Sequence, residues 1–111
     1  MSEAPRAGME LFTLVVLRRP ATAPELPEDE LDRIQESHLA FLDEQLAAGA
    51  LAAAGPFRDQ CDETLRGLCV YRTDVEETRE IVKGDPAIRA GRMTGEVVTW
   101  WFPAGQVGLG A

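Results

Sequence analysis

Apolar positions along this chain change period several times, and each change marks an element. Met9 to Leu17, MELFTLVVL, is rich in β-branched and apolar residues and is interrupted only by Glu10 and Thr13, which predicts a strand. Arg18 to Pro27 carries three prolines, Pro20, Pro24 and Pro27, and reads as a loop. From about Glu28 the period becomes helical. At about 100° per residue, Leu31, Ile34, Phe41, Leu42 and Leu46 fall on one arc, with Leu39 at its edge, while Asp32, Arg33, Glu36, Asp43 and Glu44 take the opposite face. Pro27 sits near the first turn, the acids Glu28, Asp29 and Glu30 complement the positive end of the helix dipole, and Gly49 fits the C-cap.

A run of small residues follows, Ala50-Leu51-Ala52-Ala53-Ala54, closed by Gly55-Pro56, and the second strand is expected over Ala50 to Phe57. Small side chains leave room beside a strand. Arg58 to Thr64 is a polar loop, and Leu65 to Thr73 is a third strand. Thr73 or Asp74 then caps a helix through VEETREIV, with Glu76 or Glu77 at the capping-box offset, and Gly84 stops it. Met93 to Phe102 is the last strand, ended by Pro103.

The order β-α-β-β-α-β is the ferredoxin-like plan, an α+β fold with one four-stranded antiparallel sheet and both helices on one face. Residues 9–103 form the folded domain, with 1–8 and 104–111 expected to be flexible ends. Three of the strands are apolar on both faces, so the face without helices needs a cover. A second copy of the same sheet, packed face to face about a two-fold axis, is the simplest one, and a homodimer is therefore expected.

Composition narrows the function classes. The chain has 111 residues, 19 acids and 11 bases, for a formal net charge of −8. Nucleic acid and anionic membranes are poor partners for such a surface, because both require basic patches. No apolar run approaches the roughly 18 residues of a membrane span, and no basic-then-apolar leader precedes the first strand, so a cytoplasmic protein is expected. Cys61 and Cys69 lack metal-ligand spacing and have one histidine to help them, which argues against zinc and for free thiols, Cys69 in the core and Cys61 in a loop. No metal, nucleotide or flavin motif is present, and no cofactor is expected.

Two residues carry candidate chemistry. His38, the single histidine, lies in the middle of the apolar arc of the first helix, one turn after Ile34 and one turn before Leu42. A polar group aimed inward must find a partner or leave a buried donor unsatisfied, at about 1–3 kcal/mol. Asp85, between Gly84 and Pro86, is pushed out of the helical region by the proline and stands at the end of the second helix. Side-by-side helices let its carboxylate approach the buried face of the first. A carboxylate there would fix the imidazole tautomer and stabilise its protonated form, which suits a general base. Spacing alone leaves bland alternatives open: a satisfied core histidine, and an Asp85 that merely caps a short turn through Ala87-Ile88-Arg89. Arg18, Arg19, Arg58 and Arg66 are candidates for drawing an anion to a pocket mouth, against the default of solvated arginines. Trp100, Trp101 and Phe102 read as core and interface aromatics, with one tryptophan a candidate for the pocket lining.

His38-Leu39, a helix end, Ala54-Gly55-Pro56-Phe57, Gly84-Asp85-Pro86-Ala87, Ala90-Gly91, Glu96 and the closing Trp100 occur in an order and spacing that resembles the YCII-related family of the dimeric α+β barrel superfamily. The resemblance spans residues 9 to 103. It implies a homodimer of ferredoxin-like subunits with facing sheets. It also implies a pocket with a proposed catalytic dyad, here His38 and Asp85, and a pocket-side turn, here Gly55 and Pro56. Of the two tryptophans, Trp100 is the substrate-binding candidate. Relatives often carry an arginine just before the histidine, where this chain has Gln35 and Arg33, and many have an aromatic after the Asp-Pro, where it has Ala87. Two function classes follow. One is a small enzyme without a cofactor, a lyase or isomerase moving a proton on a small, aromatic or lactone-type substrate. The other is a non-catalytic dimeric module that binds a small ligand or regulates a larger assembly.

Overall fold

The computed structural model describes residues 8–106 and Gly108, so most of the two ends expected to be flexible lies outside the described residues. The elements are β1 (Met9–Arg18), α1 (Glu28–Ala47), β2 (Leu51–Pro56), β3 (Leu65–Tyr71), α2 (Val75–Val82), α3 (Pro86–Arg89) and β4 (Thr94–Pro103). The four strands form one sheet in the order β2-β3-β1-β4, every neighbouring pair antiparallel, which is the ferredoxin-like topology. Among the described residues, no helix is long and apolar enough to cross a membrane.

Local chemistry sets the helix ends. Pro27, at φ −56°, occupies the N-cap of α1, with three acids in the first turn. At the other end Gly49 adopts φ +82°, its N–H donating to the Leu46 carbonyl at 3.1 Å while the Ala50 N–H donates to Gln45 at 3.1 Å. These two bonds satisfy carbonyls that a helix end otherwise leaves orphaned, and the left-handed residue between them favours glycine. Asp74 caps α2 by accepting from the Glu77 N–H at 2.8 Å.

The helices cover one face of the sheet. Alternation along β1 turns Thr13, Val15 and Leu17 toward them, and the register carries Gly67, Cys69 and Tyr71 of β3 and Gly95 and Val97 of β4 onto the same face. The core gathers there: Val15, Leu17, Leu51, Cys69, Tyr71 and Val82 are buried together, with Leu42, Ile81, Ile88 and Val97 packed against them. Gly95 is the point of closest approach. A β-carbon there would meet Val15 at 3.0 Å, Val82 at 3.1 Å and Ile88 at 3.2 Å, so α2 and α3 seat on β4 because that position has no side chain.

On α1, His38 is buried and Leu31, Ile34, Phe41 and Leu42 are half-buried, but Leu39 and Leu46 are exposed. The inward arc is narrower than the apolar pattern. Leu46 and Leu39 lie about 80° and 100° around the helix from His38, on one flank. That flank borders a cavity, which explains the exposure of Leu39.

Candidate active site

His38 and Asp85 are 47 residues apart in sequence and in direct contact in the fold. α1 brings the imidazole down toward the sheet one turn after Ile34. The Asp85 side chain arrives from the break between α2 and α3, where Pro86 at the first position of α3 holds Asp85 at φ −67°, ψ 120°, outside the helical region. His38 Nδ1 lies 2.9 Å from Asp85 Oδ1 and 2.8 Å from Oδ2, and Oδ1 also accepts the Ala87 N–H at 2.9 Å. Both residues are nearly sealed from solvent, at 6% and 3% exposure, so this contact is not a surface ion pair with water competing for it. Capping and contact with the histidine therefore coexist at Asp85. It caps α3, and that cap holds its carboxylate still against the histidine.

The geometry fixes the ring. A carboxylate only accepts, so the Nδ1 facing it carries a proton, and the neutral imidazole then has Nε2 as its acceptor nitrogen. His38 lines a cavity of about 290 Å³, walled by Leu39 and Leu42 of α1, Ala54, Gly55 and Pro56 of β2, Gly67 and Cys69 of β3, and Met93. Asp85 is not among the lining residues and stands behind the imidazole. The small-residue run of β2 makes the space, and Gly67 lets β2 lie close against β3 at its wall: a β-carbon there would come within 2.9 Å of the Gly55 carbonyl oxygen. Gln35, one turn before His38 on α1, adds an amide to the wall, and Arg19 and Arg66 also line it.

Two further titratable groups on β3 feel Asp85. Burial, and then the negative charge of Asp85, push the Cys69 thiol up from 9.0 to about 12. Burial also raises the Tyr71 hydroxyl, helped by Cys69 and Asp85. A thiol so disposed is a small core side chain, not a thiolate nucleophile. Cys61 is exposed and Cys69 buried, both free.

The fold brings His38, Gly55 and Pro56 to one cavity with Asp85 behind, but Trp100 lies elsewhere. It pairs with Phe12 in the β1–β4 ladder, on the face opposite Thr13, Val15 and Leu17, and packs on Phe102 with ring centroids 4.9 Å apart. A strand residue one position away from its expected parity faces the other side of the sheet, and Trp100 has that parity. The same alternation would have identified Gly67 and Cys69 as cavity wall once β3 was registered on β1. Met93 carried no local signal beyond strand phase, and Gln35 was marked only as standing near the position where relatives carry an arginine.

A family model described as the YCII-related domain matches residues 11–101. No curated protein matches the chain. Among solved structures, the 5-chloro-2-hydroxyhydroquinone dehydrochlorinase TftG of Burkholderia phenoliruptrix AC1100, in complex with 2,5-dihydroxybenzoquinone, superimposes with a TM-score of 0.56. The two are 19% identical over 87% of this chain and 97% of that one, and share the fold. A dimeric ferredoxin-like protein of unknown function from Thermobifida fusca YX is 17% identical over 93% of this chain and 98% of its own, with a TM-score of 0.41.

Proposed function

The chain belongs to the YCII-related family, and from that premise we propose that it is a small enzyme, acting without a cofactor, that moves a proton on a small organic substrate in a lyase or isomerase reaction. The observation that carries this reading is the buried contact between His38 Nδ1 and both oxygens of Asp85, with the imidazole on the wall of an apolar cavity. In this reading Nε2 of His38 removes a proton from a carbon or hydroxyl of the bound substrate. Asp85 stabilises the imidazolium that forms and keeps the ring oriented, and the proton returns from Nε2 to a second atom of the substrate or to a leaving group. Gln35 is placed to hydrogen-bond a substrate oxygen, and Gly55, Pro56 and Gly67 give the flat ligand its room. The named activity of the Burkholderia neighbour, an elimination on a small ring, is of the same general class.

The active unit in this reading is a homodimer. The sheet face without helices carries Phe12, Leu14, Val16, Leu68, Val98 and Trp100 around the buried Val70 and Phe102, an apolar surface of the kind that packs against its own copy.

The test is proton exchange in D₂O on a panel of small enolisable ketones, lactones and hydroxyquinones. The wild-type protein is expected to accelerate exchange at one carbon of at least one compound, and His38→Gln to lose that acceleration by roughly 100-fold or more, the usual scale of a general base. Exchange that survives His38→Gln unchanged would refute the assignment. Ligand binding with no exchange anywhere in the panel would favour the non-catalytic module.

A further inference from the structure

Three arginines line the His38 cavity and the cleft that adjoins it. Arg19, just past β1, and Arg66, on β3, both line the cavity, and Arg19 also shares an adjoining cleft with Arg92, from the turn between α3 and β4. Their hydrogen bonds hold them without neutralising them. The Arg19 main-chain N–H donates to the Thr64 carbonyl at 2.8 Å, Arg66 Nη1 donates to the Glu63 carbonyl at 3.2 Å, and Arg92 Nη1 donates to the Pro24 carbonyl at 2.8 Å. Among the described residues, none of the three forms an ion pair with a carboxylate. Asp32 and Glu63 border the neighbouring clefts and stay out of ion-pair range, while the adjacent Arg18 takes Asp62 at 3.8 Å and Glu96 at 3.7 Å. Desolvation, and after it the like charges of Arg66 and Arg92, lower the Arg19 pKa from the ordinary arginine value.

Like charges beside one another repel unless an anion offsets them. The cluster also runs against the composition, because a chain of net charge −8 repels anions at long range and has acids to spare for pairing. Guanidinium groups left unpaired beside one another at the mouth of an apolar cavity are a receptor for an oxyanion, whose arrival removes the repulsion and supplies forked hydrogen bonds. The cavity, at about 290 Å³, is at the small end for organic ligands and holds little more than one ring.

We propose that the cavity takes a small monocyclic or short-chain organic anion, its carboxylate or phenolate oxygen on Arg19 and Arg66 and its apolar body between Leu42 and Met93, with the reacting atom toward His38. The proposal rests on the proton-transfer reading of the same site and supplies its substrate class. The arginine end fixes which part of the molecule meets Nε2. It also stabilises an enolate or phenolate formed when the proton leaves, provided that charge is conjugated to the anchored oxygen.

Benzoate and its neutral isostere benzamide are the probes, followed through the backbone amide resonance of Gly67 in the cavity wall. Benzoate should shift that resonance saturably and benzamide at least tenfold more weakly. Arg19→Gln with Arg66→Gln should remove at least tenfold of the benzoate affinity. Arg19→Lys with Arg66→Lys, which keeps the charge and the fold, should recover part of it. Equal binding of the two probes, no saturable shift with benzoate, or full affinity in the double glutamine variant would overturn the proposal. Should that happen while exchange in D₂O still depends on His38, the base stands and only the anionic substrate class is lost. Should benzoate select as expected while exchange is absent, the site is an anion receptor without the proposed chemistry.

Discussion

The two faces of the sheet are built on opposite rules. On the helix-covered face, the buried polar residues among those described are Thr13, His38, Thr78 and Asp85, and each has its partner. Thr13 Oγ1 donates to the Thr73 carbonyl at 2.6 Å, the hydroxyls of Thr73 and Thr78 lie 2.7 Å apart, and His38 meets Asp85. Among the described residues, no buried side-chain nitrogen or oxygen lacks a partner. On the other face the central rows are entirely apolar, from Phe12, Leu14 and Val16 on β1 to Val98 and Trp100 on β4, with Glu10, Arg18 and Glu96 confined to the ends. Trp100 there remains 36% exposed. One face is closed and buries polarity; the other is open and displays hydrocarbon. Buried polar groups are costly and survive where geometry serves them, whereas open apolar surface survives where something else covers it. In the proposal above, the first face carries the chemistry and the second the self-association.

The largest expected effect breaks the second half of that assignment. Leu14 sits at the centre of the bare face, registered between Val70 and Val98. Leu14→Arg would place an unpaired charge in a sheet-to-sheet contact, at a cost of several kcal/mol. Self-association should weaken by about 1,000-fold, since each 1.4 kcal/mol is a factor of ten. Sedimentation should show a species of twice the chain mass for the wild type and of the single mass for the variant, with the far-ultraviolet spectrum unchanged. A wild type that sediments as a monomer at micromolar concentration would remove the dimer from the account.

How much of this was legible in the sequence follows the range of the interactions. Pro27, Gly49, Asp74 and Pro86 act within a turn of themselves, so the element order and the helix ends could be read directly, to within a residue or two. The contact between His38 and Asp85 spans 47 residues, and each residue had an adequate bland role; the fold and the family resemblance, not spacing, pointed to it. Trp100 needed a strand register that composition does not carry, and one step of parity separates the cavity face from the bare face. Leu39 and Leu46 fit the apolar arc but not the packed one, because helical phase marks which residues are apolar and not where the sheet leaves a gap.

A smaller effect sharpens the first half. Cys69 and Tyr71 are both on the closed face, and their folded-state pKa values are raised. The unfolded chain therefore loses these protons first. Their contribution to stability is complete below about pH 9, and for Cys69 it is lost progressively as the pH rises toward about 12. The urea midpoint should fall between pH 8 and pH 10.5, and Cys69→Ala should make that fall shallower. An identical pH slope in the variant would show that the thiol is not sequestered on this face. At pH 8, alkylation of the native protein should label Cys61 and spare Cys69.

The central claim is that Asp85 holds His38 with its acceptor nitrogen toward the cavity, and ¹⁵N NMR of the single imidazole tests it most directly. Once the ring is neutral at high pH, Nδ1 should give the shift of a protonated nitrogen and Nε2 that of an unprotonated one, and Asp85→Asn should let the two tautomers mix. A wild-type ring with its proton on Nε2, or one whose tautomer ignores Asp85→Asn, would contradict the account.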